Sequence, residues 1–238
     1  MDQPFRPLTT RARLAVAALG LTMLVDAFSV YADRVETHLM DRLIARRDLP
    51  TLAALTASDH RQELAGSLQL AIVIAAAVTW VLWFSRAYVN VSALGAYGLR
   101  FTKGWAVGAW FVPFLNLWRP KQIADDVWRA SDPEEVPAQG ASWNLKRVPV
   151  LLNIWWAAWI LDSVFGNYAV RRSLEGDTST PAGLRHADQL DIAVMAIDLL
   201  AAVLAVVVIV KLTSRQERRR AAVADALPVE LGQASGDA

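Results

Sequence analysis

The chain has no cysteine and only three histidines in 238 residues. The first absence excludes disulfides, thiolate metal sites and cysteine nucleophiles, and leaves the redox compartment unmarked. His38, His60 and His186 fall between apolar runs, and none has a second histidine three or four positions on, so the spacing of a zinc site is missing. Gly95-Ala96-Tyr97-Gly98 lacks the Lys-Ser/Thr that a phosphate loop needs, and neither G-x-S-x-G nor H-E-x-x-H occurs. No catalytic residue, cofactor site or metal site emerges, and the reading leans away from an enzyme. The tryptophans neighbour apolar runs rather than a basic strip, which points away from nucleic acid.

What the chain has in quantity is apolar sequence. Hydrophobic residues make up 55%, and 24 basic and 23 acidic side chains are confined almost wholly to loops and tails. Four runs, 14–31, 66–85, 148–168 and 190–212, are long enough for a hydrocarbon core of ~30 Å, which takes about 20 residues. The expectation is an all-α integral membrane protein with four transmembrane helices. Residues 1–13 read as a cytoplasmic tail, 14–212 as the membrane domain, and 213–238 as a basic, then disordered, cytoplasmic tail. Arg6, Arg11 and Arg13 ahead of run one, and Val30-Tyr31-Ala32 near its end, resemble a signal peptide. Asp26 interrupts that core and the run is long, so it reads as a retained span.

A fifth run, 104–118, is short and broken by Gly104, Gly108 and Pro113. The distribution of Lys and Arg decides its topology. With four crossings and a cytoplasmic N-terminus, sixteen basic residues face inward and eight outward. A fifth crossing would leave nine inside and fifteen outside. The broken run is therefore expected to be re-entrant or interfacial on the cytoplasmic side. Residues 119–131 then form an interfacial helix, with Pro120 in its first turn and Ile123, Ala124, Val127 and Trp128 on one face. Trp83, Trp118 and Trp128, with Arg119 and Lys121, are candidate interfacial anchors, and Asp125 and Arg129 are spaced to pair. Outside, Val35, Leu39, Leu43 and Ile44 predict an amphipathic helix ending before Pro50, and Ser58 or Asp59 is a candidate N-cap for the second span.

Two polar sets stand out. Asp26, Asp162 and Asp198 fall inside runs, at one shared depth in the outer half, with no lysine or arginine at that depth. Such carboxylates face a bundle interior, a cavity or a partner. Asp191 lies on the face of Asp198, and Arg34, Arg171, Arg172 and Arg185 are near enough in sequence to reach inward. On the cytoplasmic side, Arg86 and Asn90 share a helix face. Pro113 withholds an amide and frees a carbonyl near Ala109, so Arg86, Asn90 and Asn116 are candidate donors that clamp the broken run.

The central residues resemble a bacterial membrane family catalogued as domain of unknown function 4328. The features that carry the resemblance are Trp83-x-x-Arg86-x-x-x-Asn90, Leu94-Gly95 and Gly104-Trp-Ala-Val-Gly-Ala-Trp-Phe-Val-Pro113. They continue through Asn116-Leu117-x-x-Pro120 and Trp128-x-x-Ser131. The resemblance covers roughly residues 69–212. It implies a multispan protein of the bacterial cytoplasmic membrane without an assigned activity, and it carries over no catalytic residue.

Three function classes follow. The first is a membrane scaffold or regulatory protein, with a protein partner or a second copy of itself, and with anionic lipid headgroups at the basic tail (Arg215, Arg218, Arg219, Arg220). The second is a small proton- or cation-coupled carrier or channel using the three aspartates. The third is a phospholipid-handling enzyme in which Arg86, Arg119 and Lys121 hold phosphate.

Overall fold

A computed structural model of the protein describes residues 4–45, 49–134, 142–175 and 180–226. The linker residues 135–141 and the tail residues 227–238 lie outside the described residues, as do the side chains of Arg172, Arg185, His186 and Asp191. Among the described residues every regular element is helical: α1 (Thr9–Ala45), α2 (Leu52–Ala93), α3 (Trp105–Gly108), α4 (Arg119–Ala130), α5 (Val150–Glu175) and α6 (Pro181–Ala226). At ~1.5 Å per residue, α1, α2 and α6 run roughly 55–70 Å, about twice the thickness of a hydrocarbon core.

The reason for such length is an absence of breakers. Between Gly20 and Pro50 there is neither glycine nor proline, so run one and the expected outer amphipathic helix fuse into α1. His38 and His60 thereby sit on helices rather than in loops. α2 starts just after Pro50, where the Thr51 hydroxyl accepts the Ala54 amide at 3.2 Å. The cap expected at Ser58 or Asp59 is instead helix interior. α6 likewise continues to Ala226, through sequence rich in Ala and Arg, so 213–226 is helix rather than a loose tail. At its other end α2 closes on Gly95 at φ 86°, with the Ala96 amide bonding back to Val91 and the Gly95 amide to Ser92. That pair of bonds defines a Schellman cap, and the left-handed conformation is why glycine stands there.

The four-span expectation is met in part. Three described helices are long and apolar enough to cross a membrane: α1, α2 and residues Ile192–Asp225 of α6. α5 is 26 residues long but is not among them. Asn153, Asp162, Asn167 and three tryptophans dilute its apolar content.

The chain divides into two compact units, residues 1–12, 81–152 and 209–238, and residues 13–80 and 153–208. The second unit has its polarity reversed relative to a water-soluble core. Along α1, Ala15, Ala18, Thr22, Asp26, Ser29 and Asp33 are buried, at helical spacing, while Leu14, Leu21, Leu24 and Tyr31 are exposed. Leu70, Ile74 and Val78 of α2 and Leu199, Leu200 and Val203 of α6 are exposed too. Polar groups inward and leucines outward suit a helix whose surroundings are lipid. An aromatic ladder ties α2 to α5 in this unit: Trp80 lies 5.4 Å from Trp155, followed by Trp156 and Trp159, the last two stacked at 4.7 Å.

The first unit has a conventional core. Trp83, Phe84, Ala87, Tyr88 and Val91 of α2, Ile123 and Val127 of α4, Leu152 of α5, and Ile209 and Leu212 of α6 are essentially inaccessible.

Candidate functional site

In the first unit, a stripe of α2 faces α6 with both helices running in the same direction. The Trp83 indole donates to the Thr213 hydroxyl at 3.0 Å. Gln216 donates to the Ala87 carbonyl at 2.8 Å, and Arg219 to the Leu94 carbonyl at 3.4 Å. Asn90, wholly buried, sits at the centre of this seam. Its amide brackets the backbone of Arg6, accepting the Arg6 N–H at 3.2 Å and donating to the Arg6 carbonyl at 2.8 Å, and it reaches Gln216 at 3.4 Å. Glu217 accepts the Leu8 amide at 3.2 Å, and the Arg220 guanidinium lies 5.0 Å from the centre of the Phe5 ring. The N-terminal segment is thereby pinned to both helices.

α4 docks onto the same unit through an ion pair within its buried face. Arg100 reaches both carboxylate oxygens of Asp126, a residue with no exposed surface. Burial lifts the Asp126 carboxyl above its usual range and Arg100 opposes that rise. The Tyr88 hydroxyl donates to the Phe101 carbonyl at 2.7 Å, fixing the loop that carries Arg100. After α4, buried Asp132 pairs with Arg215 at 3.1 Å and Lys146 at 3.4 Å, and its carbonyl accepts from Arg219 at 3.0 Å. Burial pulls the Asp132 carboxyl upward; the Glu134 amide, Arg215 and Lys146 more than reverse this and hold it below the usual carboxylate range. Asp125 pairs with Lys121 rather than with Arg129, whose guanidinium bonds the Lys146 carbonyl.

The broken run is a series of tight turns. α3 has four residues, and a 3-10 turn occupies Leu115–Leu117. Between them the Leu115 amide reaches back to the Pro113 carbonyl at 2.7 Å, with Phe114 at φ 63°, ψ −44°. This is a γ-turn of the rarer, strained hand, and a side chain at such a φ costs on the order of 1–2 kcal/mol. The turn holds Phe114 three-quarters exposed, alongside exposed Phe111, Leu117 and Trp118.

In the second unit three carboxylates converge from three helices. Asp26 of α1 is 3% exposed, and neither of its oxygens meets an N–H or O–H donor. The Asp198 carboxyl of α6 lies beside it, with Asp162 of α5 close enough to act on both. Along the same face of α1, the Ser29 hydroxyl is buried without a partner and Asp33 accepts from Gln62 at 2.9 Å. Among the described residues, no group of three or more His, Cys, Asp or Glu is placed to hold a metal ion.

The comparisons with known proteins add one finding. The model of a family described as Domain of unknown function (DUF4328) matches residues 46–214. The chain belongs to that family. No curated protein and no solved structure matches it. The DUF4328 match begins ahead of α2 and ends in α6 at residue 214, so it takes in α4, the broken run and the Trp83–Thr213 bond, and leaves out α1, Gln216 and Arg219.

The residues named from the sequence thus separate within this DUF4328 protein. Asp26, Asp162 and Asp198 come together as one cluster. Asn90 faces Arg6 and Gln216, while Arg86 has a buried terminal nitrogen without a hydrogen-bond partner. Pro113 lies exposed in the γ-turn, Asn116 sits half-buried in the 3-10 turn, and Pro120 is buried at the start of α4. Arg119 stacks on Trp105 at 3.8 Å, and Trp128 lies beneath Arg215 at 4.8 Å. Sequence reasoning missed Asp126, Asp132 and Gln216. Asp126 had a signal: it stands among Ile123, Val127 and Ala130 on the apolar face of α4. Asp132 and Gln216 had none, because their partners are distant in the chain.

Proposed function

We propose that this is a four-crossing membrane protein whose working element is the carboxylate cluster of α1, α5 and α6. In this reading the cluster takes up and releases a proton, as a small proton-coupled carrier does. The observation that carries it is the buried Asp26, without a donor and facing Asp198. A carboxyl pair in a low-dielectric interior holds one proton far more readily than none, and the second charge is what exchange creates. Three carboxylates without a metal-holding arrangement favour a proton over a metal cation.

The fourth crossing rests on parity. The start of α1 and the end of α6 are joined by the Leu8–Glu217 hydrogen bond. A chain that begins and ends its membrane passage at one face crosses an even number of times, so α5 crosses with the three apolar helices. Ile154, Leu161, Val164 and Phe165 on α5 are exposed, as lipid contact requires, and Asp162 is turned to a partner. The charge distribution favours cytoplasmic termini, and the family resemblance favours a bacterial cytoplasmic membrane. The exposed Phe111, Phe114, Leu117 and Trp118 then dip into the inner interface as an interfacial turn.

The test is proton movement into liposomes carrying the purified full-length protein, followed with a trapped pH-sensitive dye under an imposed gradient. Asp198→Asn and Asp26→Asn should abolish it, and Glu63→Gln, on a largely exposed side chain, should leave it intact. Equal proton movement with and without Asp26 and Asp198 would sink this reading. A second reading, a membrane scaffold or regulatory protein, draws on the densely bonded first unit. Partner copurification that depends on pH, without any proton movement, would favour it. The phospholipid-handling reading is weaker, because Lys121 is paired with Asp125 and Arg119 is stacked on Trp105.

A further inference from the structure

The basic tail residues offer less to a membrane than their number suggests. Arg215 bonds Asp132 and the Trp128 carbonyl, Arg219 is buried against the Asp132 and Leu94 carbonyls, and Arg220 lies near Glu217 and Phe5. Three other arginines are arranged differently. Arg11 donates to the Leu82 carbonyl at 2.8 Å, one turn before Arg86 on α2. The Arg6 backbone is held by Asn90, one turn after Arg86. Arg86 is thus bracketed along its helix by two more arginines, and these are its charged neighbours. One terminal nitrogen of Arg86 is shut in without an acceptor. Arg6 is exposed, and Arg11 and Arg86 are half-buried.

Gathering three like charges is unfavourable, and here the fold spends specific bonds on doing so: both arms of the Asn90 amide, the Glu217 carboxylate and the Arg11–Leu82 contact. An anion offsets that cost. Guanidinium groups match phosphate oxygens in pairs, which makes a phosphate group the fitting chemistry. We propose that Arg6, Arg11 and Arg86 form a binding site for a phosphate group, supplied by an anionic lipid headgroup at the inner face of the membrane. The site does not depend on the carboxylate reading. Its setting favours the lipid source over free phosphate: Arg86 follows directly on the apolar run of α2, with exposed Val78 and Leu82 before it.

The experiment measures thermal unfolding and native mass spectra of the full-length protein in detergent, with phosphatidylglycerol, phosphatidylcholine or inorganic phosphate added. Phosphatidylglycerol should raise the midpoint and stay bound, with phosphatidylcholine doing neither. Arg86→Gln should weaken the apparent affinity by at least tenfold, and Arg11→Gln should weaken it too, which keeps the test decisive if the Arg86 variant does not fold. Arg218→Gln, on an exposed side chain outside the cluster, should leave it unchanged. Protection by inorganic phosphate alone, lost in the same variants, would keep the phosphate site and overturn the lipid source. Equal phosphatidylglycerol binding by wild type, Arg86→Gln and Arg11→Gln, or no effect of either phosphate source on the wild type, would overturn the site.

Discussion

Asn90→Ala is the substitution that most directly tests how the first unit is held. The Asn90 side chain makes three hydrogen bonds from a wholly buried position: two to the Arg6 backbone at 3.2 and 2.8 Å, and one to Gln216 at 3.4 Å. Each contributes about 1 kcal/mol net, and the long one to Gln216 less. Truncation also strands the wholly buried Gln216 carbonyl oxygen, at a cost of about 1 kcal/mol or more. The Arg6 groups are only part-buried and regain water, so they add little. The expected loss is about 3 kcal/mol. For a chain of this length that lowers the unfolding midpoint by roughly 6–12 °C, measured at a fixed scan rate. Release of the N-terminal segment should also appear in hydrogen exchange. The peptide carrying Arg6 and Leu8 should exchange roughly ten- to a hundredfold faster, since about 1.4 kcal/mol is a factor of ten. Asn90→Asp should be worse than alanine, because a carboxylate would face the Arg6 carbonyl and the Gln216 oxygen. A midpoint within about 2 °C of wild type, with unchanged exchange at Arg6 and Leu8, would refute the pinning.

Two further outcomes follow from the ion pairs of the first unit. Arg100→Ala leaves Asp126 buried without its cation and should cost about 2 kcal/mol, below the range for a fully buried pair because Arg100 is nearly half exposed. Asp126→Asn in that background should recover part of the loss, and a wild-type midpoint for Arg100→Ala would count against the pair. Asp132 has a folded carboxyl below its ordinary value of 3.8, so its contribution is complete above that value and is lost as pH falls through the lower, folded value. Thermal unfolding should therefore show an acid-side loss below about pH 4 that Asp132→Asn lacks. Identical acid profiles for the two proteins would remove Asp132 from the account.

How much could be read in advance depended on the range of the interaction. The all-helical class and three of the apolar spans follow from local composition, which a linear reading sees directly. Helix ends were less legible. Ser58 and Asp59 carry good capping side chains, yet Thr51 after Pro50 caps α2, because a cap is chosen by where the chain must turn, and the nearest breaker sets that. α5 was less legible than the other three, since length alone does not show that Asn153, Asp162 and the tryptophans dilute its apolar content. The aspartate cluster was legible because equal depth is a one-dimensional property: topology converts it into proximity. The seam at Asn90 was not, since Arg6, Gln216 and Glu217 are 84 to 209 positions away from their partners.

The same contrast explains why net charge misleads here. By count, the segment from Lys211 to Arg220 is the most basic in the chain, and a linear reading sends it to the lipid surface. In the fold, Arg215 and Arg219 act as hydrogen-bond donors within the protein, tying α6 to Asp132, Trp128 and Leu94. Only charges with no acid or carbonyl to satisfy them are left for an external anion, and at the C-terminal half of α2 that description fits Arg86. A positive field at the inner face is set by such unspent guanidinium groups, so removing Arg86 should change lipid binding more than removing Arg218, although each subtracts one charge.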